Sequence, residues 1–109
     1  MTDRELLEMA AKAAGIEINI AEAHGDENYL WVVNLKTGNA WNPLTDDGDA
    51  LRLAVKLHLH IHVDNAYGTA ARRPDQIWRA CEAHKYGGLE AATRRAVVLA
   101  AAEIGKTTP

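Results

Sequence analysis

A single cysteine, Cys81, stands in the 109 residues. It excludes an internal disulfide and a thiolate metal cluster, and it points to a reducing, cytoplasmic setting. No apolar run approaches the ~20 residues that a membrane span requires. Asp3, Arg4 and Glu5 give the N-terminus a charged opening unlike a signal peptide. There is no P-loop, no dinucleotide fingerprint, no metalloprotease HExxH helix and no internal repeat. What is present is a chain of ordinary globular composition, 48% hydrophobic and 25% charged, which argues against disorder. Its length suits one domain with one core, spanning residues 1–109.

The net charge of −3 is unevenly spread. Residues 1–50 hold three lysines and arginines against ten carboxylates, and residues 51–109 hold nine against five. Such a split either supplies opposite surfaces for steering a partner, including head-to-tail contact between copies in a homo-oligomer, or reflects solvated helix ends. The acidic balance argues against DNA binding, which needs clustered cations to neutralise phosphate.

Thr2 and Glu5 form a capping-box pattern ahead of Leu6, Met9, Ala10, Ala13 and Ala14, and Gly15 is suited to a left-handed helix end. The spacing predicts a helix over Asp3–Ala14. Ile16, Ile18 and Ile20 alternate with polar residues and predict a strand. A turn over His24–Asn28 leads into a second, antiparallel strand over Tyr29–Asn34, closed by turn residues Lys36–Asn39. Thr45 is placed to cap the next helix, with Asp46, Asp47 and Asp49 in its first turn and Leu51, Ala54, Val55 and His58 directed inward. That helix ends near Leu57. A third strand is predicted over His58–Asp64, with Leu57, Leu59, Ile61 and Val63 on one face and His58, His60 and His62 on the other. Ala66–Pro74 reads as a loop, and residues 76–83 fit either strand or helix. The last helix covers Leu89–Ile104 and ends at Gly105. The order α-β-β-α-β-β-α describes an α+β fold, an antiparallel sheet of about four strands packed with three helices in a sandwich-like arrangement.

The run from Trp41 through Asn42, Pro43, Leu44, Thr45, Asp46, Asp47, Gly48 and Asp49 to Leu57 resembles a segment of small uncharacterised proteins from tailed phages and prophages. Ala91–Val98 followed by Ala101–Gly105 resembles their C-terminal helix. These proteins are similar to the phage ABA sandwich domain, which implies an α/β/α architecture, a phage accessory role and the host cytoplasm as location. The resemblance covers roughly a third of the chain and brings no catalytic residue with it.

Three groups of residues are candidate sites. Trp41, Asn42, Thr45, Asp46 and Asp47 surround a helix N-terminus that can hold a polar ligand; the alternative is a core tryptophan, a cap and dipole-complementing carboxylates. His58, His60 and His62 share a strand face with side chains ~7 Å apart, so two can share a metal ion if Asp64 or His84 joins them; the alternative is a polar outer face. Arg94, Arg95 and Trp78, with Arg72, Arg73, Arg79, Lys85 and Tyr86, offer an anion site for a nucleotide phosphate; the alternative is solvated charge, with Glu90 and Arg94 paired along the helix. Cys81 fits no nucleophile motif. No cofactor is expected apart from that metal alternative. The absence of a catalytic motif points to non-enzymatic action by binding, and the resemblance implies that the protein is a phage accessory protein. It would sequester a host immune nucleotide signal or block a host defence protein. A metal-dependent hydrolase on the histidine strand, or a virion component, is the alternative.

Overall fold

Capping and periodicity account for the first element. In the computed structural model, which describes residues 1–22, 30–64 and 68–109, helix α1 spans Asp3–Ala14. The Thr2 hydroxyl accepts from the Glu5 N–H while the Glu5 carboxylate accepts from Thr2. That second bond, made chiefly to the Thr2 backbone N–H, holds the exposed Glu5 carboxyl below its usual range. Gly15 follows at φ 70°, and the Gly15 and Ile16 N–H groups return to the carbonyls of Lys12 and Ala11. Glycine occupies this left-handed position without a Cβ penalty.

Strands β1 (Ile18–Glu22) and β2 (Leu30–Asn34) form an antiparallel hairpin in which Ile20 faces Val32. The first strand thus starts two residues later than its isoleucine pattern, although Ile16, Ile18 and Ile20 all pack against the core. The turn predicted over His24–Asn28, together with Tyr29, lies outside the described residues.

Helix α2 spans Asp47–Lys56, and its N-cap is Asp46 rather than Thr45. Asn42–Thr45 form a turn whose Thr45 and Asp46 N–H groups both reach the Asn42 carbonyl, so the first residue free to cap is Asp46. Its carboxylate accepts from the Asp49 N–H at 2.8 Å. The buried stripe of α2 is Ala50, Leu53 and Ala54, whereas Leu51 and Val55, predicted to face inward, are 62% and 67% exposed. His58 does not belong to the following strand. It stands at φ 56°, with its N–H on the Val55 carbonyl and the Leu59 N–H on the Ala54 carbonyl, the hydrogen-bond pattern that closes a helix.

Strands β3 (His60–Asp64), β4 (Gly68–Arg72) and β5 (Arg79–Glu82) form a second antiparallel sheet in the order β3-β4-β5. Strand β4 falls where a loop was predicted. Its Gly-Thr-Ala-Ala sequence carries no β-branched alternation, but those small residues let a helix lie close over the inner face, where Thr69, Ala71 and Cys81 are buried. Residues 79–82 resolve as strand, and the short helix α3 (Ala83–Tyr86) follows.

Helix α4 (Leu89–Thr107) is the centre of the molecule, in contact with α1, α2, α3 and all three strands of the second sheet. Ala92, Ala96, Val97, Val98, Ala100, Ala101, Ala102, Ile104 and Gly105 are buried around much of its circumference, as expected of a helix enclosed by neighbours. The chain is therefore α+β, with the strands divided between two sheets. Among the described residues, no helix is long and apolar enough to cross a membrane.

Gly105 does not end α4; the helix continues to Thr107. A Cβ at this position would overlap the Met9 carbonyl oxygen of α1, so the glycine is there for close helix approach. Gly105→Ala is expected to cost about 3 kcal/mol through overpacking, measured by urea denaturation. Asp46→Ala is expected to cost about 1 kcal/mol and Thr45→Ala clearly less, since only the former removes the cap. Equal losses in thermal melts would return the cap to Thr45.

Candidate functional site

Helices α2 and α4 diverge from β3 to leave an open groove of about 450 Å³. Ala50 and Val97 lie at its base, where they belong to the buried surfaces of α2 and α4. Leu51, Ile61, Val63 and Leu89 form its walls. Ile61 and Val63, 39% and 51% exposed, thus line the groove together with Leu51, and Val55, one turn further along α2, is exposed as well. Leu57 and Leu59, which precede β3, turn instead against the core.

The rim is polar and crossed by one ion pair. Arg94 donates through Nε to the Leu44 carbonyl at 2.9 Å and through Nη1 to Asp47 Oδ1 at 2.6 Å. The predicted Glu90–Arg94 pairing along α4 is replaced by this reach to the α2 N-terminus, because Asp46 capping places Asp47 over the arginine. Glu90 and Asp47 both stand at the groove. Arg95, about 100° further round the helix, binds Asp3 at 2.7 Å and lies 4.9 Å from the Tyr86 ring centre. Both arginines singled out for phosphate thus hold carboxylates of the acidic half.

Trp41 is buried, and its backbone N–H donates to the Val32 carbonyl. It borders a different pocket, of about 400 Å³, together with Arg52 and Lys56. Asn42 and Asp49 make a local frame: Asp49 Oδ2 accepts from the Asn42 N–H at 2.9 Å, its Oδ1 from Arg52 at 2.8 Å, and Asn42 Oδ1 accepts from the Leu44 N–H at 3.0 Å. Thr45 is exposed, its hydroxyl 3.5 Å from the Asn42 carbonyl.

Trp78 lines neither pocket. It sits at the open face of the second sheet, edge-on to His62 at 6.4 Å and 4.6 Å from the Arg72 guanidinium. His60 and His62 are exposed on that face, while His58 is removed from it by the left-handed end of α2. Among the described residues, no three His, Cys, Asp or Glu side chains converge to hold a metal ion. Burial raises the Cys81 thiol above its usual range, against a smaller opposing effect of the Arg95 charge, so the thiol is held in its unreactive protonated form.

Leu51, Val55, Ile61 and Val63 escaped sequence reasoning as site residues. The available signal was that α2 carries two apolar stripes, Ala50-Leu53-Ala54 and Leu51-Val55, of which one short helix buries only one. No family model, curated protein or solved structure matches the chain.

Arg94 therefore has a structural task at the groove's edge. Arg94→Lys is expected to cost about 1–2 kcal/mol in urea denaturation, because an ammonium cannot serve the Leu44 carbonyl and Asp47 in the same geometry. Most of that loss belongs to the carbonyl bond, since the Asp47 side chain is 76% exposed.

Proposed function

We propose that this protein acts by binding another protein, without catalysis, and that the groove between α2, β3 and α4 receives the partner. The observation that carries the reading is the apolar groove walled by exposed Leu51, Ile61 and Val63, with exposed Val55 one turn beyond Leu51 on α2. Covering one large aliphatic side chain stabilises a complex by about 1.5–3 kcal/mol before ordering costs, and contiguous surfaces of this kind mark interaction sites. At the rim Asp47 is already paired with Arg94, so Glu90 is the carboxylate that favours a lysine or arginine beside an apolar segment. The resemblance of the Trp41–Leu57 run, and of Ala91–Val98 with Ala101–Gly105, to phage proteins is the support for reading this binding as counter-defence against a protein of the bacterial host cytoplasm.

A nucleotide signal is the second ligand class under the same accessory role. Its phosphate would have to displace Asp47 and the Leu44 carbonyl from Arg94, or Asp3 from Arg95, and for that reason the protein partner is placed first.

Affinity purification with chemical cross-linking from a defence-active bacterial host tests the choice. One host protein is expected at near-stoichiometric yield, falling at least tenfold with the double variant Leu51→Glu and Val55→Glu. Equal recovery with that variant removes the groove from the interaction. Calorimetric binding of a cyclic or linear nucleotide, lost in Arg94→Lys, favours the small ligand instead.

A further inference from the structure

Strand β3 is the edge of its sheet: among the described residues it pairs with β4 alone, and all five of its side chains are exposed. The His62 carbonyl accepts from the Thr69 hydroxyl of β4 at 2.9 Å, so the His62 backbone is turned inward to the sheet. In an antiparallel ladder the backbone groups alternate in direction, which leaves the N–H and C=O of Ile61 and Val63 facing the open edge. Edges of soluble proteins are usually protected by lysine, proline or a bulge. His60-Ile61-His62-Val63-Asp64 contains neither lysine nor proline, and its register with β4 runs without a bulge.

The five residues complement themselves. Turned about a two-fold axis at His62, the strand sets His60 opposite Asp64 of the partner subunit, Ile61 opposite Val63 of the partner subunit, and His62 opposite its own mate. This is the single register that pairs all five residues of β3 within one another. The imidazole and carboxylate pairs then fall on the outer face, once on each side of the axis. The aliphatic pairs fall on the inner face, beside the groove. The aliphatic pairs are favourable cross-strand contacts, and the ladder bonds come from the outward groups of Ile61 and Val63.

We propose that two copies of this chain join antiparallel through β3 across an axis at His62, extending each three-stranded sheet into one continuous six-stranded sheet. The occupant of the edge is a second copy, and the pairing covers the exposed aliphatic side chains of β3. Ile61 and Val63 are shared with the wall of the groove, whereas Leu51 and Val55 on α2 lie outside the strand pairing, so variants of α2 test the groove and variants of β3 test the dimer.

Cysteine cross-linking reads the register directly. At the axis the two His62 residues form a non-hydrogen-bonded pair with Cα atoms about 4.5 Å apart, inside the range that a disulfide spans. The two His60 residues are four positions apart along the strand, about 13 Å, and beyond that range. Mild oxidation of His62→Cys is expected to give nearly complete covalent dimer in non-reducing mass analysis, and His60→Cys none, with Cys81 buried in both. Sedimentation of the unmodified protein is expected to show a dimer at micromolar concentration, reduced to monomer by Val63→Pro, which removes an outward N–H. Should circular dichroism show that the proline disturbs folding, Val63→Lys supplies the same test. Monomer at all concentrations up to several hundred micromolar overturns the proposal, as does equal cross-linking of both cysteine variants. Either result leaves the groove reading to the Leu51→Glu and Val55→Glu experiment.

Discussion

The second sheet and helices α1, α2 and α3 are arranged around how closely they approach α4. A close approach falls at Gly105, where the Met9 carbonyl of α1 occupies the space a side chain would need. Ala10, Ala11 and Ala14 on α1 and Ala101 and Ala102 on α4 are buried with it, so two helices meet through small residues. The second sheet follows the same rule from its own side, presenting Thr69, Ala71 and Cys81 to the helix. Small side chains contribute modest apolar area each. Their value lies in letting backbones come close, where dense packing accumulates many weak dispersion contacts.

That close packing explains where the surface is left open. α2 is short, buries Ala50, Leu53 and Ala54, and is anchored to α4 by Arg94 through the Leu44 carbonyl and Asp47. Beyond that tie α2 and β3 no longer meet across α4, and the aliphatic residues on each stay partly in water. The acidic first half and basic second half, which looked like two separate surfaces, are joined at three arginines: Asp47 to Arg94, Asp3 to Arg95, Asp46 and Asp49 to Arg52. Arg52 and Arg94 are on the basic side of the division only by sequence number. Part of the charge split is thus used in intramolecular pairing, and the groove between α2, β3 and α4 is apolar with Asp47, Glu90 and Arg94 along it.

Local signals were readable wherever a few neighbouring residues decide the outcome. The capping box and Gly15 delimit α1 correctly at both ends, and the isoleucine alternation and the Tyr29–Asn34 β-branched run announce the β1–β2 hairpin. The carboxylates after Asn42 mark the start of α2 to within a residue, and the cap shifted to Asp46 only because the Asn42 turn absorbed Thr45. β4 was hidden for a different reason. Its glycine, threonine and alanines have no strand pattern of their own and are extended because β3 and β5 hydrogen-bond on either side and α4 covers one face.

The sequence by itself therefore determined the α+β class, helix α1, the first hairpin, and the approximate extents of α2 and α4, because capping, hydrophobic period and turn chemistry act over a few residues. Only the tertiary structure decided that the strands divide into two sheets, that His58 leaves the histidine strand for a left-handed helix end, and that Gly105 is a contact rather than a stop. It also decided the candidate site. Leu51, Val55, Ile61 and Val63 carry no motif, and whether such residues face a core or water depends on partners distant in the chain. The same holds for Arg94, whose ligands lie 47 and 50 positions away: long-range pairing of this kind is set by packing geometry, which no local pattern encodes.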